Sequence, residues 1–255
     1  MDIAVITGAS SGLGKVFAEK VCVRYPDLDE VWLIARRKDR LEQFAQEHPT
    51  VNIRPIALDL SLDSSYEELA AILAEASPNI RVFINNAGFN KMDRFDKAKK
   101  SDILSTINVN VKGMTMVNKV CLPYLSKGSF EIITGSVGSF APIPGQAVYS
   151  GSKVYTRFFA VALREELKKK GINVMLLSPG NMKTDMYLNA AGDGAATNSK
   201  TDKLPFLDLD KVTDTALTRA ASGKGNYTPM LFFKGYRVLC KIVPSALMAK
   251  IASVE

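Results

Sequence analysis

The chain is 255 residues long, 47% apolar and 23% charged, with 17 glycines and 11 prolines; this suits one α/β domain with a full core and excludes a fibrous or disordered chain. Its formal charge of +7 suits anionic partners without naming one, because a basic surface on any globular protein gives the same figure. Three widely spaced cysteines, Cys22, Cys121 and Cys240, and a single histidine, His48, support neither a disulfide framework nor a zinc site, so we expect no metal and a reducing, cytoplasmic setting.

The first apolar run, Ile3 to Thr7, reads as a strand with no basic region or cleavage site ahead of it, so no secretory signal is expected. No later stretch offers the ~18 apolar residues of a membrane span. Thr7-Gly8-Ala9-Ser10-Ser11-Gly12-Leu13-Gly14 follows directly and opens a helix with apolar residues at Val16, Phe17, Val21 and Val23. Glycines between a first strand and a first helix let the backbone turn sharply and approach a pyrophosphate, which the free N–H groups of the helix end can hold.

The second strand, Val31 to Ala35, ends in Arg36-Arg37 with no carboxylate for an adenosine ribose hydroxyl. Ala35 leaves room and Arg36 brings charge, as a 2′-phosphate requires, so NADP(H) is favoured over NAD(H). An exposed helix start would use the same two arginines. The third strand, Ile53 to Leu58, leads to Asp59 and Leu60, with Asp59 placed to hydrogen-bond an adenine. The fourth, Val82 to Asn85, leads into the tight polar turn Asn86-Ala87-Gly88. Strands at Phe130 to Thr134 and Val174 to Ser178 complete a rhythm of short β-branched runs and longer helical segments. That rhythm predicts a doubly wound parallel sheet with helices on both faces, a single-domain Rossmann arrangement over 1–255, with ligands outside the carboxyl ends of the strands.

Within Tyr149-Ser150-Gly151-Ser152-Lys153 a phenol and an ammonium stand four residues apart, on one face of a helix. A free tyrosine titrates near ~10, and a fixed positive neighbour would lower that value toward useful proton exchange. A solvated helix face shows the same spacing by chance.

The region from Met186 to Leu209, rich in Ala, Gly, Asn, Ser, Thr and Asp, breaks the rhythm, and we take 182–209 as a substrate lid. Candidate pocket residues are Phe89, Met92, Phe140, Ile143, Gln146, Met182, Met186 and Tyr187, a mostly apolar set that implies a hydrophobic small molecule. The extension 229–255 carries Lys234, Arg237 and Lys241 at helical spacing beside Leu231, Val238, Leu239 and Ile242. Such a basic amphipathic helix either rests on a membrane surface and frames the pocket mouth, or packs on the lid or a partner subunit.

Taken together, Thr7-Gly8-x-x-x-Gly12-x-Gly14, Asn85-Asn86-Ala87-Gly88, Asn110, Ser136, Tyr149-x-x-x-Lys153 and Pro179-Gly180 followed by Thr184 resemble the classical short-chain dehydrogenase/reductases along nearly the whole chain. The gap of 13 residues from Ser136 to Tyr149 is as that family has it. The resemblance implies that Tyr149 exchanges a proton with a carbonyl oxygen and that Ser136 hydrogen-bonds the same oxygen. It further implies that Lys153 binds the nicotinamide ribose and depresses the tyrosine, that Asn110 holds a water linking Lys153 to solvent, and that Pro179, Gly180, Met182 and Thr184 border the cofactor. In type the chain looks closest to hydroxysteroid dehydrogenases and sphingoid-base reductases, and it lacks the longer substrate domain of extended relatives acting on sugar nucleotides. The family also implies a homodimer or homotetramer built on helices around 112–126 and 153–169. Two other readings stay open: a 3-oxoacyl-thioester reductase, against which the missing Gly-rich end speaks, and a non-catalytic NADP-binding sensor.

Overall fold

In the computed structural model, which describes residues 1–190 and 203–252, the sheet has seven parallel strands in the order β3-β2-β1-β4-β5-β6-β7. These are β1 (Asp2–Thr7), β2 (Glu30–Ala35), β3 (Ile53–Ala57), β4 (Asn79–Asn85), β5 (Phe130–Thr134), β6 (Asn173–Leu177) and β7 (Asn226–Tyr227). All six expected strands form, within a few residues of the expected ends. The seventh is a two-residue strand that the sequence did not distinguish from a loop; it pairs Leu176 with Asn226 and Leu177 with Tyr227.

Parallel strands buried on both faces read as continuous apolar runs, and β1 shows why. Its Ile3 and Val5 enter one core layer while Ala4 and Ile6 enter the other. Helices α3 (Ser64–Ala76), α5 (Met114–Cys121) and α6 (Ala147–Lys168) supply the first layer; α1 (Gly12–Arg24), α2 (Lys38–Glu47) and α8 (Leu209–Ala221) supply the second. Pro55 is tolerated because β3 is the sheet edge.

The strand order reverses between β1 and β4, which opens a crevice at their carboxyl ends. On one side of it, α4 (Lys100–Ile107) passes through a π-helical turn at Asn108–Gly113 into α5. Gly113 is required there, since a Cβ would lie 2.6 Å from the carbonyl oxygen of Leu60.

Of the lid region, only 182–190 and 203–209 fall among the described residues; they include the one-turn helix α7 (Asp185–Leu188). Within 229–255 the expected basic helix is α9 (Leu231–Ile242), and a second helix, α10 (Ser245–Ala252), follows after Pro244. No helix among the described residues is long and apolar enough to cross a membrane.

Candidate active site

The Gly-rich turn is built as its residues demand. Gly8 and Gly12 take φ of +67° and +53°, left-handed values that favour glycine. A Cβ on Gly8 would come within 3.0 Å of the Ala87 backbone, and one on Gly14 would strike the Gly8 carbonyl, so the turn, α1 and the Asn86-Ala87-Gly88 segment close on one another only because side chains are absent. The Thr7 hydroxyl accepts hydrogen bonds from the N–H groups of Asn86 and Ala87, both at 2.9 Å, tying β1 to β4 at the crevice.

A continuous cavity of about 630 Å³ runs from this turn to α9 and α10. Gly8, Ser10, Ser11, Gly12, Leu13, Arg36, Arg37, Asp59, Leu60, Asn86, Ala87 and Gly88 line one end; Ser136, Ile143, Gln146, Tyr149, Met186 and Tyr187 line the other, with Lys153, Pro179, Gly180, Met182 and Thr184 between. Gly14 is buried behind the turn, as a structural member of it. The glycine cradle, the helix N-terminus and the cations at the end of β2 suit a dinucleotide with phosphate groups.

Arg36 and Arg37 divide. Arg36 is exposed, lines the cavity and has no ion-pair partner among the described residues. Arg37 donates to the hydroxyls of Ser10 (3.0 Å) and Ser11 (2.7 Å) and pairs with Asp185 at 3.2 Å. Asp59 accepts a hydrogen bond from the Ser61 N–H at 3.0 Å, which fixes its carboxylate at the cavity edge.

At the far end, Ser136 caps the short helical turn Val137–Ser139 by accepting from the Gly138 N–H at 3.0 Å. Its Oγ and the Tyr149 ring both flank Gly138, 3.3 and 3.5 Å from where a Cβ on that glycine would lie. Burial raises the Tyr149 pKa, and the neighbouring Ser136 hydroxyl only partly offsets it. Lys153 Nζ lies over the Tyr149 ring, 5.8 Å from its centre, and donates to the carbonyl oxygen of Thr134 at 3.0 Å. Burial pushes Lys153 itself down to about 8.

Asn110 sits in the π-helical turn. Its Nδ2 donates to the Phe89 carbonyl (2.9 Å) and the Ser152 hydroxyl (3.0 Å), and its Oδ1 accepts from the Phe89 N–H (2.7 Å). Both amide hydrogens are thus taken by protein partners. A Cβ on Gly88 would lie 3.5 Å from Asn110 Oδ1 and 3.7 Å from Lys153 Nζ, so the three residues converge.

One expected pocket residue is misplaced. Phe140 does not line the cavity; its ring is packed among Tyr236 (6.4 Å between ring centres), Arg157 (5.3 Å) and Arg237 (5.9 Å). Cation–π contact with two guanidiniums holds it there. Phe89 and Met92 do line the cavity, joined by Phe232, Phe233, Tyr236 and Ile251 from the C-terminal helices, a segment the sequence marks as a basic amphipathic helix without singling out these side chains. Phe233 is 1% exposed and fills the space over Gly180, where a Cβ would collide with its ring.

A family model described as short chain dehydrogenase matches residues 2–193. Among characterised relatives, sulfoacetaldehyde reductase 2 of Chromohalobacter salexigens is 30% identical over 78% of this chain and 80% of its own length. The very-long-chain 3-oxoacyl-CoA reductase of Mus musculus is 33% identical over 69% of this chain, which spans 58% of that longer protein. Among solved structures, a short-chain dehydrogenase from Sphingobium yanoikuyae in complex with NADPH superposes with a TM-score of 0.77 at 24% identity, covering 96% of this chain and 98% of that one. One from Burkholderia phymatum in complex with NAD gives 0.79 at 20% identity, covering 93% and 92%. At those identities the likeness is one of fold.

Proposed function

The chain belongs to the short-chain dehydrogenase family, and from that premise we propose that it is an NADP(H)-dependent oxidoreductase interconverting a hydrophobic ketone, steroid-like or long-chain, and its secondary alcohol. The observation that carries this reading is the convergence of Ser136 and Tyr149 beside Gly138, at the apolar end of a cavity whose other end is the glycine turn. Gly8, Ser10, Ser11, Gly12, Asp59, Ala87 and Arg36 would hold the cofactor, which when bound supplies or accepts the hydride. Arg36, unpaired and in reach of the cavity, supports the 2′-phosphate form.

In the reducing direction Tyr149 holds the proton that the carbonyl oxygen must receive, and its raised pKa keeps it protonated at neutral pH. Ser136 orients that oxygen and stabilises its developing charge. Lys153, next to the nicotinamide end, supplies a proton donor adjustable near pH 8. Asn110 positions Phe89 and Ser152, and through them the wall beside Lys153. Apolar lining from Met92, Ile143, Met186, Phe232 and Tyr236 excludes water and favours a bulky substrate.

A second reading, reduction of a 3-oxoacyl thioester, draws on the identity to the very-long-chain 3-oxoacyl-CoA reductase. A screen of steroid, sphingoid, aryl and 3-oxoacyl-CoA substrates with NADPH, and of the alcohols with NADP⁺, separates the two by which class turns over. Absence of sustained NADPH consumption with every class would leave a cofactor-binding sensor instead.

Assembly as a homodimer or homotetramer is supported by apolar side chains left exposed on α4, α5 and α6, among them Leu104, Ile107, Met116, Phe158 and Val161. Peripheral contact with an anionic membrane is supported by α9, whose inner residue Phe233 seals the cavity while Leu231, Val238 and Ile242 point outward, flanked by Lys234 and Lys241. A cytoplasmic location rests on the three free cysteines.

A further inference from the structure

The charges at the end of β2 are not all available to a cofactor. One oxygen of Asp185, Oδ2, receives two guanidiniums, Arg37 at 3.2 Å and Arg40 at 2.9 Å. Arg37 is simultaneously bound to the hydroxyls of Ser10 and Ser11, so its planar fork lies across the glycine turn. Ser10, Ser11, Arg36, Arg37 and Asp185 all line the same cavity. The two arginines hold the Asp185 carboxyl below the usual carboxylate range, so it is an anion at any physiological pH.

Asp185 is also the first residue of α7, the described start of the lid. The preceding Thr184 caps that helix by accepting from the Tyr187 N–H, and its Cβ and Cγ2 lie 3.1 Å from where a Gly12 Cβ would be. The lid therefore joins the glycine turn through one van der Waals contact and one ion pair, and the ion pair uses the arginine that follows Arg36.

We propose that Asp185 is an internal counter-anion for the 2′-phosphate site, a positioning residue that competes with the phosphate for Arg37 and so sets the discrimination between NADP(H) and NAD(H). Two guanidiniums, Arg37 and Arg40, face one carboxylate, and Arg36 lines the same cavity. A phosphate carrying ~1.5 to 2 negative charges enters that field at a cost in repulsion from Asp185, and takes Arg37 from it. Asp185 then keeps Arg40 alone, and the lid start loses part of its tie to the turn. A cofactor without the phosphate leaves the Asp185 pair intact. The inference rests on the NADP(H) reading above, and it predicts a sign opposite to the ordinary expectation that losing an ion pair weakens a site.

The test is equilibrium binding of NADPH and NADH, followed by fluorescence, to the wild type, Asp185→Asn and Asp185→Glu. Asp185→Asn should raise the ratio of NADPH to NADH affinity about fivefold or more, with NADH changed less than about twofold, and Asp185→Glu should restore the wild-type ratio. An unchanged or lowered ratio in Asp185→Asn overturns the proposal, because the carboxylate would then be neutral toward, or helpful to, the phosphate. A general loss of structure is told apart by NADH, whose affinity would fall beyond the twofold limit, and such a variant is treated as one that fails to fold. Should Asp185→Asn fail to fold, amide exchange of the wild type decides: adenosine 2′-phosphate should speed exchange at 186–190 while adenosine 5′-phosphate does not, and equal effects overturn the proposal. The NADP(H) reading fails separately, if the wild type itself prefers NADH; a rise in the ratio for Asp185→Asn would still uphold the role of Asp185.

Discussion

Lys153 donates to the carbonyl oxygen of Thr134 at 3.0 Å while its Nζ stands over the Tyr149 ring. Thr134 is the last residue of β5, so the lysine is anchored to the central sheet, and Thr134 Oγ1 in turn donates to Asn86 Oδ1 at 3.1 Å. The anchor places one ammonium between the turn that follows β4 and the helix that carries the tyrosine. Burial lowers the lysine to about 8 and raises the tyrosine, so each neutral form is favoured and two groups with similar ordinary values are driven apart.

Direction of reaction should therefore split the pH profile. Ketone reduction needs the protonated phenol, which burial keeps protonated past the ordinary tyrosine value, so its rate should show no loss from phenol ionisation between pH 6 and ~10; alcohol oxidation needs the phenolate and should climb as pH rises across the same range. Initial rates in both directions across that range check this, and parallel profiles would contradict the role of Tyr149.

Tyr149→Phe keeps the ring but removes the proton. Turnover should drop by at least ~100-fold, while NADPH affinity measured by fluorescence stays within about twofold. Retained turnover would dismiss the proposed acid.

Arg36→Ala should weaken NADPH by ~10-fold or more, the worth of a hydrogen bond to a charged group, and leave NADH nearly untouched. Equal losses for the two cofactors would remove Arg36 from the phosphate site.

Gly180 and Phe233 should behave as a matched pair. A Cβ at Gly180 enters the Phe233 ring, so Gly180→Ala should cost ~1–3 kcal/mol, read as a lower Tm, and should detach α9 from the cavity. Adding Phe233→Leu should recover part of the lost stability; additive losses in the double variant would mean the two residues do not meet.

Glu131 gives a pH test of stability outside the cavity. It is 1% exposed on β5, accepts from Asn118 Nδ2 at 2.6 Å, and burial pushes its pKa from 4.5 up to about 8. Asn85, whose buried Oδ1 has no donor among the described residues, is a neighbour of this carboxyl. A raised folded-state pKa means that the stabilising form is the neutral one: its contribution is complete below pH ~4.5 and is lost as pH rises through about 8. Glu131→Gln, always neutral, should therefore melt at a higher temperature than the wild type at pH 9, by at least several degrees, with the gap closing toward pH 5. A gap independent of pH would mean that Glu131 does not titrate in this window.

Much of the site was legible before any coordinates. The glycine turn could be read because its function requires bare backbone at Gly8, Gly12 and Gly14, and the steric rule acts within a few residues. Tyr149 and Lys153 share a helix face by spacing alone, and the six principal strands follow from apolar runs that a doubly covered parallel sheet must have. What the sequence left undetermined involves partners far apart in the chain. Phe140 looks like a pocket residue until α9 brings Arg237 and Tyr236 against it. Arg37 looks like a free phosphate ligand until Asp185, 148 residues away, is found on it. Lys153 shares a face with Tyr149 by spacing, and its bond to the carbonyl at the end of β5 is seen only in the fold. Local rules fixed which groups are present and which face they share. The competition among them for hydrogen bonds and burial was decided only where the sheet and its helices brought distant segments together, because those energies depend on distance and solvent exposure rather than on order along the chain.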